Sequence, residues 1–193
     1  MKKHRWWSSY LCALLGLAFV SLSAAAQTSA PDEWTWIGGS QKPNQFAVPG
    51  SLGTPAPANT PGSLSGGATW TDASGNLWLF GGVGYIEESS DFNKISLEAI
   101  LNDLWKFNPS ANEWTWMGGS LSPEIDEGPS EAAGTSPGVY GTLGVPSTAN
   151  TPGSRTGAFA WTDKAGNLWL FGGYGTDSTG TQGNLNDLWE YQP

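Results

Sequence analysis

The amino-acid sequence predicts an all-β protein built from repeated units of four antiparallel strands. The first observation is an internal repeat, in which residues 33–40 recur at 113–120, residues 70–82 at 161–173 and residues 101–105 at 185–189. The second is that the repeated segments are short, apolar and aromatic, as strands are. The third is that the length changes between the two copies fall between matched segments, where loops tolerate them.

Four strands are predicted in the first copy, at about 66–71, 77–81, 103–107 and 113–117. The apolar run 77–80 meets Gly81-Gly82, which predicts that this strand ends there. Ser74-Gly75-Asn76 and its counterpart Ala165-Gly166-Asn167 predict tight hairpins, because Gly and Asn accept a positive φ at little cost. The second copy predicts three strands over about 157–191, and residues 33–37 predict a single strand ahead of the first copy.

The first 26 residues predict a secretory signal peptide. Lys2, Lys3 and Arg5 precede an apolar run from Tyr10 to Leu22, which is followed by three Ala at 24–26. A basic start, a short apolar core and small residues at a cleavage point are typical of such a peptide. We therefore expect cleavage after residue 26, a short linker at 27–32 and an exported protein, whether periplasmic, secreted or at the cell surface. An uncleaved anchor is the alternative, although the apolar run is short for a membrane span.

Composition and charge exclude several classes of function. The chain carries 17 Asp and Glu against 8 Lys and Arg, a net charge of −9. Nucleic acid and anionic membranes repel such a chain, so neither is expected as a partner beyond the signal peptide. The single His and the single Cys, His4 and Cys12, lie in the signal peptide. The remaining chain therefore lacks the residues of thiol catalysis, of Ser-His-Asp catalysis and of the usual zinc sites.

The repeated motifs resemble those of the kelch and galactose-oxidase-like β-propeller family. The first copy contains Phe80-Gly81-Gly82, then Asn102-Asp103-Leu104-Trp105, then Trp114; the second contains Phe171-Gly172-Gly173 and Asn186-Asp187-Leu188-Trp189. The resemblance spans most of 33–193 and implies four-stranded propeller blades. The structural motif residues that it implies are Gly81, Gly82, Asp103, Trp105, Trp114, Gly172, Gly173, Asp187 and Trp189. The copper site of galactose oxidase, as the family has it, needs imidazole and a Tyr joined to Cys, so it is not expected here.

The resemblance implies an incomplete propeller of about two blades after the signal peptide, whereas propellers close with roughly 4–8 blades. Residues 33–37 are then a lone strand of a preceding blade, 59–119 a complete blade and 150–193 three strands of a further blade. Two explanations stay open. The chain is a piece of a longer protein, or the strand at 33–37 completes the last blade of a neighbouring copy and several chains close a ring by self-association.

Residues that occur in both copies are expected to serve packing rather than function. Every Trp after the signal peptide has a repeat partner, and so do Asp72 with Asp163 and Asp103 with Asp187. The paired Trp are expected between blades, and the paired Asp in turns or in hydrogen bonds between blades, rather than as catalysts. A ligand surface is expected at loop residues that the repeat does not duplicate, in or near the longer segments 83–100 and 121–149. These residues are Phe46, Tyr85, Phe92 and Tyr140.

These observations favour a non-catalytic, exported kelch-repeat module that binds or scaffolds a protein or glycan partner, with no cofactor and no metal. Two alternatives remain from other classes. One is a fragment of a galactose-oxidase-like or other propeller enzyme whose catalytic residues lie outside this chain. The other is a structural repeat of a cell surface.

Overall fold

The computed structural model describes residues 32–90, 93–121 and 135–193. The chain divides into two compact units, Met1–Trp36 and Ile37–Pro193. The signal peptide predicted at 1–26 and most of the linker predicted at 27–32 lie outside the described residues. Residues 33–37 are described and form no strand. The lone strand predicted there is therefore not found, because a strand forms only where a neighbouring strand satisfies its backbone.

The regular structure of the described residues is entirely β-strand, as the sequence predicts. The strands are β1 (Leu64–Ser65), β2 (Ala68–Thr71), β3 (Leu77–Ser90), β4 (Asn93–Asn108), β5 (Glu113–Gly118), β6 (Arg155–Thr156), β7 (Phe159–Thr162), β8 (Leu168–Phe171), β9 (Tyr174–Thr176), β10 (Gln182–Asn184) and β11 (Leu188–Tyr191).

The strands of the first copy form one antiparallel sheet. In it β2 pairs with β3, β3 with β4 and β4 with β5, and we call these four strands repeat sheet 1. The short β1 pairs with a later part of β3, at Val83 and Gly84. All four strands predicted over 66–117 are present, so this part of the prediction is confirmed.

The strand predicted at 77–81 is wrong in length. Gly81 and Gly82 do not end β3, because their positive φ angles of 63° and 101° form an irregularity in the ladder with β4, and pairing then continues to Ser90. Most of the segment 83–100, predicted as a loop, is therefore a long hairpin. A Cβ at Gly81 would lie 2.6 Å from the carbonyl oxygen of Arg155, so only Gly fits at this close approach.

The second copy repeats the same arrangement with three strands. β7, β8 and β11 form an antiparallel sheet, which we call repeat sheet 2. Its register matches that of the first copy, because Trp161 pairs with Trp169 as Trp70 pairs with Trp78. The three strands predicted in 150–193 are confirmed. A further small sheet of β10, β9 and β6 was not predicted.

The core of the second unit lies between the two repeat sheets. Trp78 and Phe80 of repeat sheet 1 are buried against Leu168 and Leu170 of repeat sheet 2. Each such side chain stabilises the fold by about 1.5–3 kcal/mol. The indole of Trp70 also donates a hydrogen bond of 2.8 Å across the contact to the carbonyl oxygen of Trp169. For these Trp, the prediction of packing between repeats is confirmed.

Candidate functional site

Two of the four ligand-site candidates predicted from the sequence, Phe46 and Tyr85, line the same pocket. Its volume is about 180 Å³. Tyr140 lies elsewhere, in the second repeat, and Phe92 lies outside the described residues. The complete lining consists of Phe46, Ala47, Pro49, Pro61, Tyr85, Ile86, Leu101, Asp103 and Leu121.

Local backbone geometry brings Phe46 to this pocket. Val48 and Thr60 form a β-bridge with hydrogen bonds in both directions, which folds residues 45–62 into a narrow loop. Gly62 lies at the base of that loop with a φ of 79°, and a Cβ there would lie 2.8 Å from the amide nitrogen of Ala47. A side chain at residue 62 would therefore push Phe46 out of its position.

Tyr85 reaches the pocket from β3. Its cross-strand partner on β4 is Glu98, and the Tyr85 hydroxyl donates a 3.2 Å hydrogen bond to Glu98 Oε1. Desolvation raises the pKa of Tyr85, and the negative charge of Glu98 raises it further. Tyr85 is therefore a neutral hydrogen-bonding group at physiological pH.

Asp103 is the charged group of the pocket. It is 2% exposed, and Trp105 Nε1 donates a 2.6 Å hydrogen bond to its Oδ2. Its other carboxyl oxygen, Oδ1, is buried and has no hydrogen-bond partner in the part of the chain that the structure describes. Burial raises the pKa of Asp103 to about 6, although the bond from Trp105 lowers it in part.

The counterpart in the second copy, Asp187, has a complete set of partners. The Arg155 guanidinium binds both carboxyl oxygens, Nη1 to Oδ1 at 2.7 Å and Nη2 to Oδ2 at 2.8 Å. The Tyr140 hydroxyl and the Trp189 indole also donate to Oδ2, at 2.6 and 2.7 Å. Burial would raise the pKa of Asp187, but these hydrogen bonds and the Arg155 charge outweigh it and lower the pKa to about 2.

Two replacements between the copies explain this difference. Leu64 stands where the second copy has Arg155, and Pro49 stands where it has Tyr140. Neither Leu nor Pro can donate a side-chain hydrogen bond. The first copy therefore keeps the buried carboxylate but lacks its cation and its phenol.

Tyr140, which the sequence predicts as a ligand residue, completes the Asp187 cluster. Burial and the neighbouring Asp187 raise the pKa of Tyr140 to about 12. Its hydroxyl is used within the fold, and the structure places it apart from the pocket at Asp103.

Asp72 and Asp163 have a structural role, as the repeat predicts. Asp72 Oδ1 accepts from the amides of Ser74 and Asn76, and its Oδ2 accepts from the Trp78 indole at 2.8 Å. Asp163 makes the equivalent bonds in the second hairpin, including one of 2.9 Å from Trp169. Both carboxylates therefore hold a tight turn against the following strand.

Other features bound what the site can do. Within the described residues, no group of three or more His, Cys, Asp or Glu is arranged to hold a metal ion. No helix in the same part of the chain is long and apolar enough to cross a membrane. The sequence matches no protein-family model and no curated protein. The fold and the site therefore define a class only: an all-β protein of antiparallel sheets with one buried, under-bonded carboxylate beside two aromatic side chains.

Proposed function

We propose that the chain is a non-catalytic, exported kelch-type binding module whose ligand site is the pocket at Asp103. The ligand is the side chain of an Arg, or of a Lys, on a partner protein. The observation that carries the proposal is the buried Oδ1 of Asp103, which has no hydrogen-bond partner among the described residues, in a residue that lines a pocket of about 180 Å³.

A cationic ligand fits this carboxylate for an electrostatic reason. A buried carboxylate without donors destabilises the folded state, and a ligand that supplies N–H donors removes that cost in the complex. The second copy contains a direct example, because the Arg155 guanidinium there binds both oxygens of Asp187. A guanidinium is preferred over an ammonium because its planar fork binds a carboxylate through two parallel hydrogen bonds.

The surroundings of Asp103 support the same ligand. Phe46 and Tyr85 give the pocket two aromatic rings, which attract a cation placed within about 6 Å of a ring centroid. The net charge of −9 favours approach of a basic partner over an acidic one. The kelch-type description rests on the sequence motifs that the two copies share, Phe-Gly-Gly and Asn-Asp-Leu-Trp.

The test uses N-acetyl-arginine amide as the probe, with binding followed by NMR across pH. We expect the probe to bind at pH 7 to 8, where Asp103 is ionised. Below about pH 6 its affinity should fall about tenfold for each further pH unit, because the ionised fraction of Asp103 falls by that factor. Asp103→Asn should abolish binding. Asp32→Asn is the matched control, because it removes the same charge at an exposed residue that does not line the pocket, and should leave binding unchanged.

Two outcomes would contradict the proposal. One is absence of arginine binding to the folded wild-type protein at any pH. The other is binding of a neutral oligosaccharide in the same pocket with equal affinity in wild type and Asp103→Asn, which would assign the site to a glycan.

A further inference from the structure

Repeat sheet 2 exposes an apolar face whose counterpart in repeat sheet 1 is buried. Trp70 and Phe80 are 7% and 4% exposed, whereas their counterparts Trp161 and Phe171 are 45% and 38% exposed. Phe159, the counterpart of the buried Ala68, is 70% exposed. In repeat sheet 1 this face is covered by repeat sheet 2 itself. We call the exposed counterpart the trailing face; it consists of Phe159, Trp161, Phe171 and Leu188.

Repeat sheet 1 exposes the complementary face. Leu168 and Leu170 of repeat sheet 2 are 2% and 4% exposed because they pack against repeat sheet 1. Their counterparts are Leu77, which is 44% exposed, and Leu79, which is partly exposed. We call the surface of Thr69, Thr71, Leu77 and Leu79 the leading face. These four residues line a cleft of about 530 Å³, to which Trp161 of the trailing face also contributes.

The contact inside the chain shows how the two faces match. In repeat sheet 1, the residues equivalent to the trailing face pack on the residues of repeat sheet 2 that are equivalent to the leading face. The Trp70 indole donates a hydrogen bond to the Trp169 carbonyl oxygen across this contact. The trailing face of one copy therefore carries the residue types that this contact uses, and the leading face of a second copy carries their partners. In such a contact, Trp161 would donate to the carbonyl oxygen of Trp78 in the second copy.

The edge of β11 provides a second, independent observation. In the first copy, β5 lies between β4 and the loop 53–59, and Gly53 N and Asn59 Nδ2 donate to the carbonyl oxygens of Trp116 and Trp114, at 2.8 and 3.0 Å. In the part of the chain that the structure describes, β11, the counterpart of β4, pairs with β8 alone.

The loop 144–150 makes two internal hydrogen bonds that are equivalent to those of 53–59. The amide of Asn150 donates to the carbonyl oxygen of Ser147 at 3.1 Å, and the amide of Asn59 donates to that of Ala56 at the same distance. Asn150 Nδ2 donates to the carbonyl oxygen of Val145, as Asn59 Nδ2 donates to that of Thr54. In the described residues, the position that β5 takes beside β4 is therefore a slot without a strand at β11, and the loop that borders β5 is repeated in the second copy.

The chain contains a second version of the strand that fills this slot in the first copy. Residues 33–38 repeat β5 with one change, Ile37 in place of Met117. Trp34 is fully exposed and Trp36 is 66% exposed. By the register of β5 on β4, Trp36 would pair with Trp189 and Trp34 with Tyr191.

We infer that the protein associates with itself head to tail. The trailing face and the β11 edge of one copy bind the leading face and the 33–38 segment of a second copy. Each such contact leaves one leading and one trailing face available, and the assembly closes into a ring when the rotation from copy to copy is a whole fraction of a turn, as it is from blade to blade in a propeller. If each chain contributes two blades, the 4–8 blades of closed propellers correspond to two to four copies.

The test measures mass in solution by light scattering for the chain expressed in full and purified in the form that the host exports. Leu77→Asp places a charge on the leading face and Phe159→Asp places one on the trailing face. Val139→Asp is the matched control. Val139 and its counterpart Val48 are about equally exposed, at 51% and 48%, so the contact between the two repeats covers neither of them and they belong to neither face.

We expect wild type and Val139→Asp to form a discrete oligomer of two to four copies. Leu77→Asp and Phe159→Asp should each be monomeric with a β-type circular-dichroism spectrum, because both residues are exposed in the single chain. An equal mixture of these two variants should form a dimer, since each retains the face that the other has lost. This recovery on mixing is specific to a head-to-tail contact.

A folded wild-type monomer at high micromolar concentration would overturn the inference. So would a mixture of the two variants that stays monomeric, or a Phe159→Asp variant with the wild-type mass. Thr35→Pro tests the strand separately, because proline removes the N–H that strand pairing needs. The oligomer of this variant should be weaker, so on dilution it should dissociate at a higher protein concentration than the wild-type oligomer does. An unchanged dissociation concentration would exclude 33–38 from the contact.

Discussion

Asp103→Asn and Asp187→Asn make the same chemical change at equivalent positions of the two repeats, but we expect opposite effects of pH on their folding stability. Asp103 has a pKa of about 6 in the folded protein against 3.8 for an unperturbed Asp. Because the folded value is the higher one, the contribution of Asp103 to wild-type stability is greatest below about pH 4 and falls as pH rises through 6. The difference corresponds to about 3 kcal/mol.

The pH dependence that Asp187 contributes to folding stability has the opposite sign. Its pKa in the folded protein is about 2, so its contribution of about 2 kcal/mol is present above pH 4 and is lost as pH falls through 2. Asp187→Asn also leaves Arg155, which is 1% exposed, without its counter-ion. We expect that variant to be destabilised by about 3–5 kcal/mol at neutral pH.

The assay is urea unfolding followed by Trp fluorescence at intervals from about pH 2 to 8, with the free energy of unfolding of each variant compared with wild type at the same pH. Any constant cost of the Asn amide cancels in the pH dependence. Between pH 4 and 7.5, Asp103→Asn should become more stable relative to wild type by about 3 kcal/mol. A difference that does not vary over this range would refute the description of Asp103 as a buried carboxylate without sufficient donors.

Three further predictions concern folding stability and the site. Gly81→Ala should lower the free energy of unfolding by more than the roughly 1–2 kcal/mol expected of Gly75→Ala. Both residues have a positive φ, but only a Cβ at Gly81 would meet backbone atoms, and thermal unfolding of the two variants compares them. Thr176→Val should stabilise the protein by about 1–3 kcal/mol in urea unfolding, because the Thr176 hydroxyl is buried without a partner among the described residues, and a loss would show that the hydroxyl is bonded. Leu64→Arg should lower the NMR-measured pKa of Asp103 from about 6 towards 2 and block the arginine probe; an unchanged pKa would contradict the comparison of the two copies.

Local strand and turn chemistry was readable from the sequence. β2, β7 and β8 were predicted because alternating apolar residues and Gly-Asn turns act within a few residues of chain. β3 was predicted too short, because Gly81-Gly82 was taken as the end of a strand. Whether a Gly pair ends a strand or forms a bulge depends on the partner strand, here β4, which begins at Asn93.

The candidate site was only partly predictable. Phe46 and Tyr85 were selected because the repeat does not duplicate them, and they do meet in one pocket. Asp103 was expected to be structural because Asp187 repeats it. The signal that separates the two was present at position 64, where Leu replaces Arg, but its meaning required knowing that the Arg155 side chain reaches Asp187.

By itself, the sequence determined the all-β class, the duplicated units, the hairpin turns and the absence of His and Cys beyond the predicted signal peptide. These depend on residue type and on spacing along the chain. The tertiary structure alone decided which copy of each repeated residue is buried, which carboxylate has its donors and which faces stay exposed. Identical local sequences differ in these respects because burial and charge pairing depend on what packs from distant parts of the chain, and Trp70 and Trp161 differ in exposure for that reason alone.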